Sequence, residues 1–154
     1  MTEFYAGQIA YQDLLEPKTF KVAGSANISR GQFCTMNSTG YLVPAPTLDG
    51  KPTDFKAGLF VAIQKADNSG GANGDITCQV ACVRSRVVVK AATNVTLGMP
   101  VQTTLDNNVQ VKPAATNAPA NTVVGTVFEF PGEPEKIITT AAGELVVLDL
   151  GIGV

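Results

Sequence analysis

Asn27-Ile28-Ser29-Arg30-Gly31 recurs as Asn94-Val95-Thr96-Leu97-Gly98, sixty-seven residues further on, and Gly58-Leu59-Phe60-Val61 recurs at the same offset as Gly125-Thr126-Val127-Phe128. Each half closes on an apolar alternating run, Ile76-Thr77-Cys78-Gln79-Val80 in the first and Leu145-Val146-Val147-Leu148-Asp149 in the second. Duplicated turn-plus-strand units bury each other's apolar faces, and neither copy needs a reactive group to do so. The pattern predicts an internal pseudo-repeat over about 21–86 and 87–154, and a molecule that works as a scaffold.

Working outward, short strand candidates are split by turn residues every eight to twelve positions from Lys21 onward, the rhythm of a sandwich or barrel. Gln32-Phe33-Cys34-Thr35-Met36 runs through Asn37-Ser38-Thr39-Gly40 into Tyr41-Leu42-Val43, a hairpin closed by a glycine able to take positive φ. Val101-Gln102-Thr103-Thr104-Leu105, Asp106-Asn107-Asn108 and Val109-Gln110-Val111-Lys112 repeat the device. Long irregular links follow, 44–56 and 113–122, of a length that is functional or disordered in most domains. The stretch 67–74 reads as a flexible surface tip, and 76–90 as the longest strand, bending near Ser85. With no long helical pattern after residue 20, the fold class is all-β: a small barrel or sandwich built from two related halves.

Residues 1–20 differ from the β domain at 21–154. They hold Phe4, Tyr5, Tyr11 and Phe20, four of ten aromatics in the chain. Thr2 is positioned to cap a short helix, but Gly7 weakens it and Pro17 ends it. Two readings stand side by side: an N-terminal arm whose aromatics dock on a neighbouring subunit, or a first element packed on its own core.

The chain has 154 residues, 45% hydrophobic and only 16% charged, against roughly 25% charged in ordinary domains. So few charges suggest that a partner covers part of the surface. A net charge of -2 and a pI near 5.0 argue against nucleic-acid or anionic-membrane binding, which draws on clustered Lys and Arg. There is no signal-peptide pattern and no run of 18 apolar residues, so synthesis in the cytoplasm is expected. Cys34, Cys78 and Cys82 lack metal spacing. On one strand Cys78 and Cys82 would lie about 13 Å apart, too far for a disulfide, and all three read as reduced, mostly buried thiols.

Histidine is absent, which removes the commonest general base and the usual partner of a Ser or Cys nucleophile. Glu133 and Glu135 sit in a Pro-Gly turn that reads as solvated, and no acidic cluster is dense enough for a calcium loop. The glycines of 67–74 do not fit a nucleotide fingerprint. Asn27-Ile28-Ser29, Asn37-Ser38-Thr39 and Asn94-Val95-Thr96 read as turn formers rather than glycan acceptors. No catalytic residue, cofactor or metal is expected. Arg84, Arg86 and Lys90 alternate with Val83, Ser85, Val87 and Val89, which gives either a basic face for an acidic partner or a solvated strand face that discourages edge pairing.

The rhythm of Gly24 to Gly40, Gly58-Leu59-Phe60-Val61-Ala62, Asn94-Val95-Thr96-Leu97-Gly98-Met99-Pro100-Val101, Val124-Gly125-Thr126-Val127 and Gly143-Glu144-Leu145-Val146-Val147-Leu148-Asp149-Leu150 resembles the capsid decoration, or cement, proteins of tailed bacteriophages, over about 21–150. The resemblance implies a β-barrel or β-tulip-like body with an N-terminal arm and no enzymatic activity. Its implied partner is the major capsid protein on the outside of the virion head, and its implied state a homo-oligomer, a trimer before a dimer. Phe4, Tyr5, Tyr11, Phe20, Arg84 and Arg86 are the candidate contact residues. The competing reading is a receptor- or glycan-binding β module of a tail or surface fibre. Such modules stack sugars on Trp or Tyr, whereas here Trp is absent and Tyr41 is the one Tyr outside the arm.

Overall fold

The computed structural model describes residues 4–9, 17–46, 52–104 and 109–151. The strands run in chain order as β1 (Lys18–Lys21), β2 (Asn27–Ile28), β3 (Phe33–Met36), β4 (Leu42–Pro44), β5 (Phe60–Ala62), β6 (Ala66–Asp67), β7 (Thr77–Ala81), β8 (Arg86–Ala91), β9 (Pro100–Thr103), β10 (Gln110–Pro113), β11 (Val123–Glu129) and β12 (Glu144–Leu150). A 3-10 turn at Ala120–Thr122 precedes β11. The fold is all-β, as the turn-punctuated apolar runs require.

Two sheets have the same plan. The first has the order β1-β7-β5-β3-β4, and the second is a closed barrel in the order β8-β12-β11-β9-β10. The ladders correspond step by step. Phe33↔Val61 and Cys34↔Phe60 in the first sheet answer to Pro100↔Thr126 and Val101↔Gly125 in the barrel. Lys18↔Val80 answers to Val87↔Leu148. The barrel closes where β10 meets β8 in parallel, Gln110 opposite Lys90. In the first sheet the same junction is a single parallel bridge, Val22 to Leu42. The ladders align Phe60 with Gly125, so the sequence match of Gly58 to Gly125 is displaced by two residues, a shift that keeps the same side chains facing inward.

Burial follows alternation. Cys34, Ala62, Cys78 and Val80 line the inside of the first sheet with Val22, Ile28 and Leu42. The opposite face, Phe33, Val61 and Ala81, joins Phe55 and Leu59 in one continuous core with Val87, Val89, Val101, Val127, Val146 and Leu148 of the barrel. The barrel residues that correspond to Phe33, Val61 and Ala81 are Pro100, Thr126 and Asp149, none of them buried. An apolar outer face on one unit demands a cover, and a polar one on the other ends the stack.

Three local expectations change. The run 76–90 is two strands rather than one bent strand. Arg84 takes φ 79°, Ser85 N–H bonds the Cys82 carbonyl at 3.0 Å and Arg84 N–H the Leu150 carbonyl at 2.6 Å, so the chain turns from the first sheet into the barrel. Side-chain alternation continues through Cys82-Val83 and gives no sign of a left-handed arginine. The 67–74 tip is anchored: Asn68 is buried, and its Nδ2 donates to the carbonyls of Ala23 (2.9 Å) and Ala72 (3.0 Å). The long links are tied down as well. Phe55 N–H bonds the Asn121 carbonyl at 3.0 Å, Thr53 Oγ1 the Pro46 carbonyl at 2.8 Å, and Gln102 Nε2 the Thr122 hydroxyl at 2.8 Å. The first hairpin is β3–β4, its turn organised by Asn37 Oδ1, which accepts from the N–H groups of Thr39 and Tyr41. The second is β9–β10, and its turn at 105–108 lies outside the described residues.

Candidate interaction surface

The N-terminal segment is seated on its own chain. Gly7 N–H donates to the Val88 carbonyl and Val88 N–H to the Gln8 carbonyl, both at 2.7 Å, and Ile9 bridges Val87. Residues 7–9 thereby extend the barrel sheet along β8. Gly7 has φ 86°, and a Cβ there would lie 2.6 to 2.9 Å from Arg30 Cγ, the Ala62 carbonyl and the Gly31 nitrogen. Only glycine fits this junction between first sheet and barrel. The seat leaves two rings at the surface. Phe4, 38% exposed, lies over Gly132, and Tyr5, 47% exposed, has the Arg30 guanidinium 4.7 Å from its ring centre. Phe4 also lines a groove of about 130 Å³ with Gln8, Val88, Glu129, Pro131 and Val147.

The other sequence-derived residues are dispersed. Tyr11 lies outside the described residues. Phe20 is in β1 with its ring 5.0 Å from that of Phe60, packed on the first-sheet core. Arg84 is on the exposed turn, not on a strand face with Arg86 and Lys90. Arg86 opens β8 opposite Asp149, and its guanidinium lies 3.8 Å from the ring centre of Phe128.

A patch absent from the sequence reading is formed by Ile137 (62% exposed), Leu97 and Ile138. Leu97 N–H bonds the Ile137 carbonyl at 2.8 Å, and Thr96 bridges Ile138. The inversion has a cause in the next residue. Thr139 is buried; its hydroxyl donates to the Ala92 carbonyl at 2.7 Å and accepts from Val95 N–H at 2.9 Å. Anchoring the threonine inward puts its neighbour Ile138 outside, and Ile137, ahead of the bridge, stands out beside it. Two adjacent isoleucines in a turn-rich stretch are the signal in the sequence, since alternation can bury one of them at most.

The ionisable groups form structural contacts. Lys136 bridges Glu133 at 3.3 Å and Glu144 more closely. The Lys136 ammonium, then the Thr140 hydroxyl, hold the Glu144 carboxyl down at about 2, and Glu144 in turn raises Lys136. Burial pushes the Cys34 thiol far up, with Cys78 nearby adding to it, and burial raises Cys78 to about 11. All three cysteines are free thiols. Among the described residues no group of three His, Cys, Asp or Glu side chains gathers to hold a metal, and no helix is long and apolar enough to cross a membrane.

The surface thus exposes aromatic and aliphatic side chains on a braced β body. No curated protein matches the chain. The phage structural cement protein family (E217 gp24/Pam3 gp6) matches it over residues 1–151, nearly the whole length, and the chain belongs to that family of phage structural proteins.

Proposed function

We propose that this protein binds the outer surface of an assembled phage head and stabilises it, without catalysis. The observation that carries the reading is the family match over residues 1–151. The exposed Phe4 and Tyr5 rings and the Leu97, Ile137 and Ile138 patch support it, because contiguous exposed apolar groups mark interaction sites. The partner is the major capsid protein and the location the capsid exterior. The residues ahead of β1 act as the arm, with Phe4, Tyr5 and Tyr11 as anchors, while 18–20 join the β body, and that body, over 21–86 and 87–154, is two copies of one β unit. Phe20, Arg84 and Arg86 add contacts to the shell or between subunits. A homotrimer presents three such surfaces together, and linked contacts raise overall affinity by roughly 10² to 10⁴. Binding only the assembled shell stabilises that state by mass action.

The test is co-sedimentation with empty shells lacking the protein, alongside its mass by light scattering. Saturable binding and a higher shell disruption temperature are expected. A folded protein that ignores such shells overturns the reading.

A further inference from the structure

The correspondence between the two sheets exposes a docking edge. In the barrel, the backbone N–H and C=O of Val88 point away from β12 and are taken by Gln8 and Gly7. Matching the ladders places Thr19 of β1 where Val88 stands in β8: Thr19 is opposite Gln79, as Val88 is opposite Val147. Residues of an antiparallel ladder alternate between bonding the partner strand and facing away from it. Val22 N–H bonds the Ile76 carbonyl at 3.0 Å, on the β7 side, whereas Ala23 N–H bonds the Leu42 carbonyl at 3.0 Å, on the other side. Odd-numbered positions therefore face away from β7, and Thr19 with them. The Gln79 carbonyl agrees, since it accepts from Ile63 N–H at 3.0 Å, on the far side of β7 from β1. Among the described residues nothing pairs with this side of Thr19, and Lys18, Thr19 and Lys21 are exposed.

We propose that the outer edge of β1 at residues 18–20 receives an extended, acidic segment of the shell subunit, which adds as a strand at the position that residues 7–9 occupy on β8. The inference rests on the capsid-binding reading above. Its chemistry comes from the edge itself. Main-chain groups of Thr19 supply a two-bond ladder. Lys18 and Lys21 flank it, and among the described residues neither has a carboxylate partner. A lysine on each face of the strand repels the β1 of a second copy and attracts a strand bearing Asp or Glu.

The test compares variants in co-sedimentation with empty shells that lack the protein. Thr19→Pro removes the outward N–H and leaves the bonds to β7 intact, since proline is tolerated where an edge N–H faces solvent. Lys18→Glu with Lys21→Glu reverses the charge and keeps the backbone. Both variants are expected to retain the wild-type mass and denaturation midpoint and to bind shells roughly ten-fold or more weakly. Should Thr19→Pro not fold, the double charge reversal decides alone. Wild-type shell affinity in either folded variant overturns the proposal. So does a fall in mass for Thr19→Pro, which would place a second copy on this edge. Failure of the wild-type protein itself to bind shells is a separate result: it removes the capsid reading, and this proposal with it.

Discussion

Gly31 and Gly98 occupy the same place in the two halves of the molecule. Their φ angles are 81° and 82°, and their N–H groups bond the carbonyls of Ala62 at 2.7 Å and Val127 at 2.8 Å. Their surroundings differ. A Cβ on Gly31 would lie 2.5 Å from Ala6 Cβ, while around Gly98 there is nothing within 4 Å. One backbone device thus serves a free turn in the barrel and, in the first sheet, the floor of the N-terminal seat.

Gly98→Ala is expected to cost about 1–2 kcal/mol, the left-handed strain of a Cβ. Gly31→Ala adds the collision with Ala6 and is expected to unseat residues 4–9. Urea unfolding gives the first number. Faster amide exchange at Val88 in Gly31→Ala alone checks the second.

Asn68→Ala strips the side-chain donor from the carbonyls of Ala23 and Ala72 in a buried site. A loss of about 2–3 kcal/mol is expected from urea midpoints, with the loop between β6 and β7 becoming the first site of limited proteolysis.

Phe33 belongs to both halves, its ring 6.5 Å from Phe55 within the core shared with the barrel. Phe33→Ala is expected to cost about 3–5 kcal/mol. Circular dichroism should show the wild-type chain unfolding in one transition. Two well-separated transitions would contradict the shared core.

The Glu144 carboxyl is depressed from 4.5 to about 2 by Lys136 and Thr140. A lowered folded-state value contributes stability that is present above pH 4.5 and lost as pH falls from there towards 2. Glu144→Gln should therefore show a shallower decline in unfolding midpoint between pH 5 and 2, with the two proteins converging at the acid end. The Lys136 contribution has the opposite sense, present at neutral pH and fading only in strong alkali, above the lysine's ordinary value of 10.5.

Cys34 and Cys78 are buried and their thiols raised by that burial, so both are expected to resist a thiol reagent at pH 8 until the protein unfolds. Cys82, half-buried and raised to a lesser degree, should label first and slowly. Mass spectrometry of the native and denatured protein counts the modified sites.

Much of the architecture was legible because it is local. Asn37-Ser38-Thr39-Gly40 encodes its own turn, and the β3 and β4 runs on either side need only pair. Which side chains stay at the surface was less legible. Phe4, Tyr5 and Arg86 were named from the sequence and stand at the surface or stack on an exposed ring, whereas Arg84 left the strand face assigned to it. Leu97, Ile137 and Ile138 went unnamed because they meet through contacts distant in sequence: Leu97 N–H bonds the Ile137 carbonyl, and Thr139 beside Ile138 reaches Ala92, 47 positions back along the chain.

By itself the sequence determined an all-β body with paired hairpins, no histidine-based chemistry and a resemblance to capsid cement proteins. The tertiary structure decided that Phe33, Val61 and Ala81 face the barrel, that the chain turns at Arg84 and that Gly7 lies between the two sheets. Alternation and turn residues act over a few neighbours, so they divide each strand into two faces. Which face is covered, and which edge stays open, depends on backbone and side-chain contacts between residues distant along the chain, and those form only when the sheets pack.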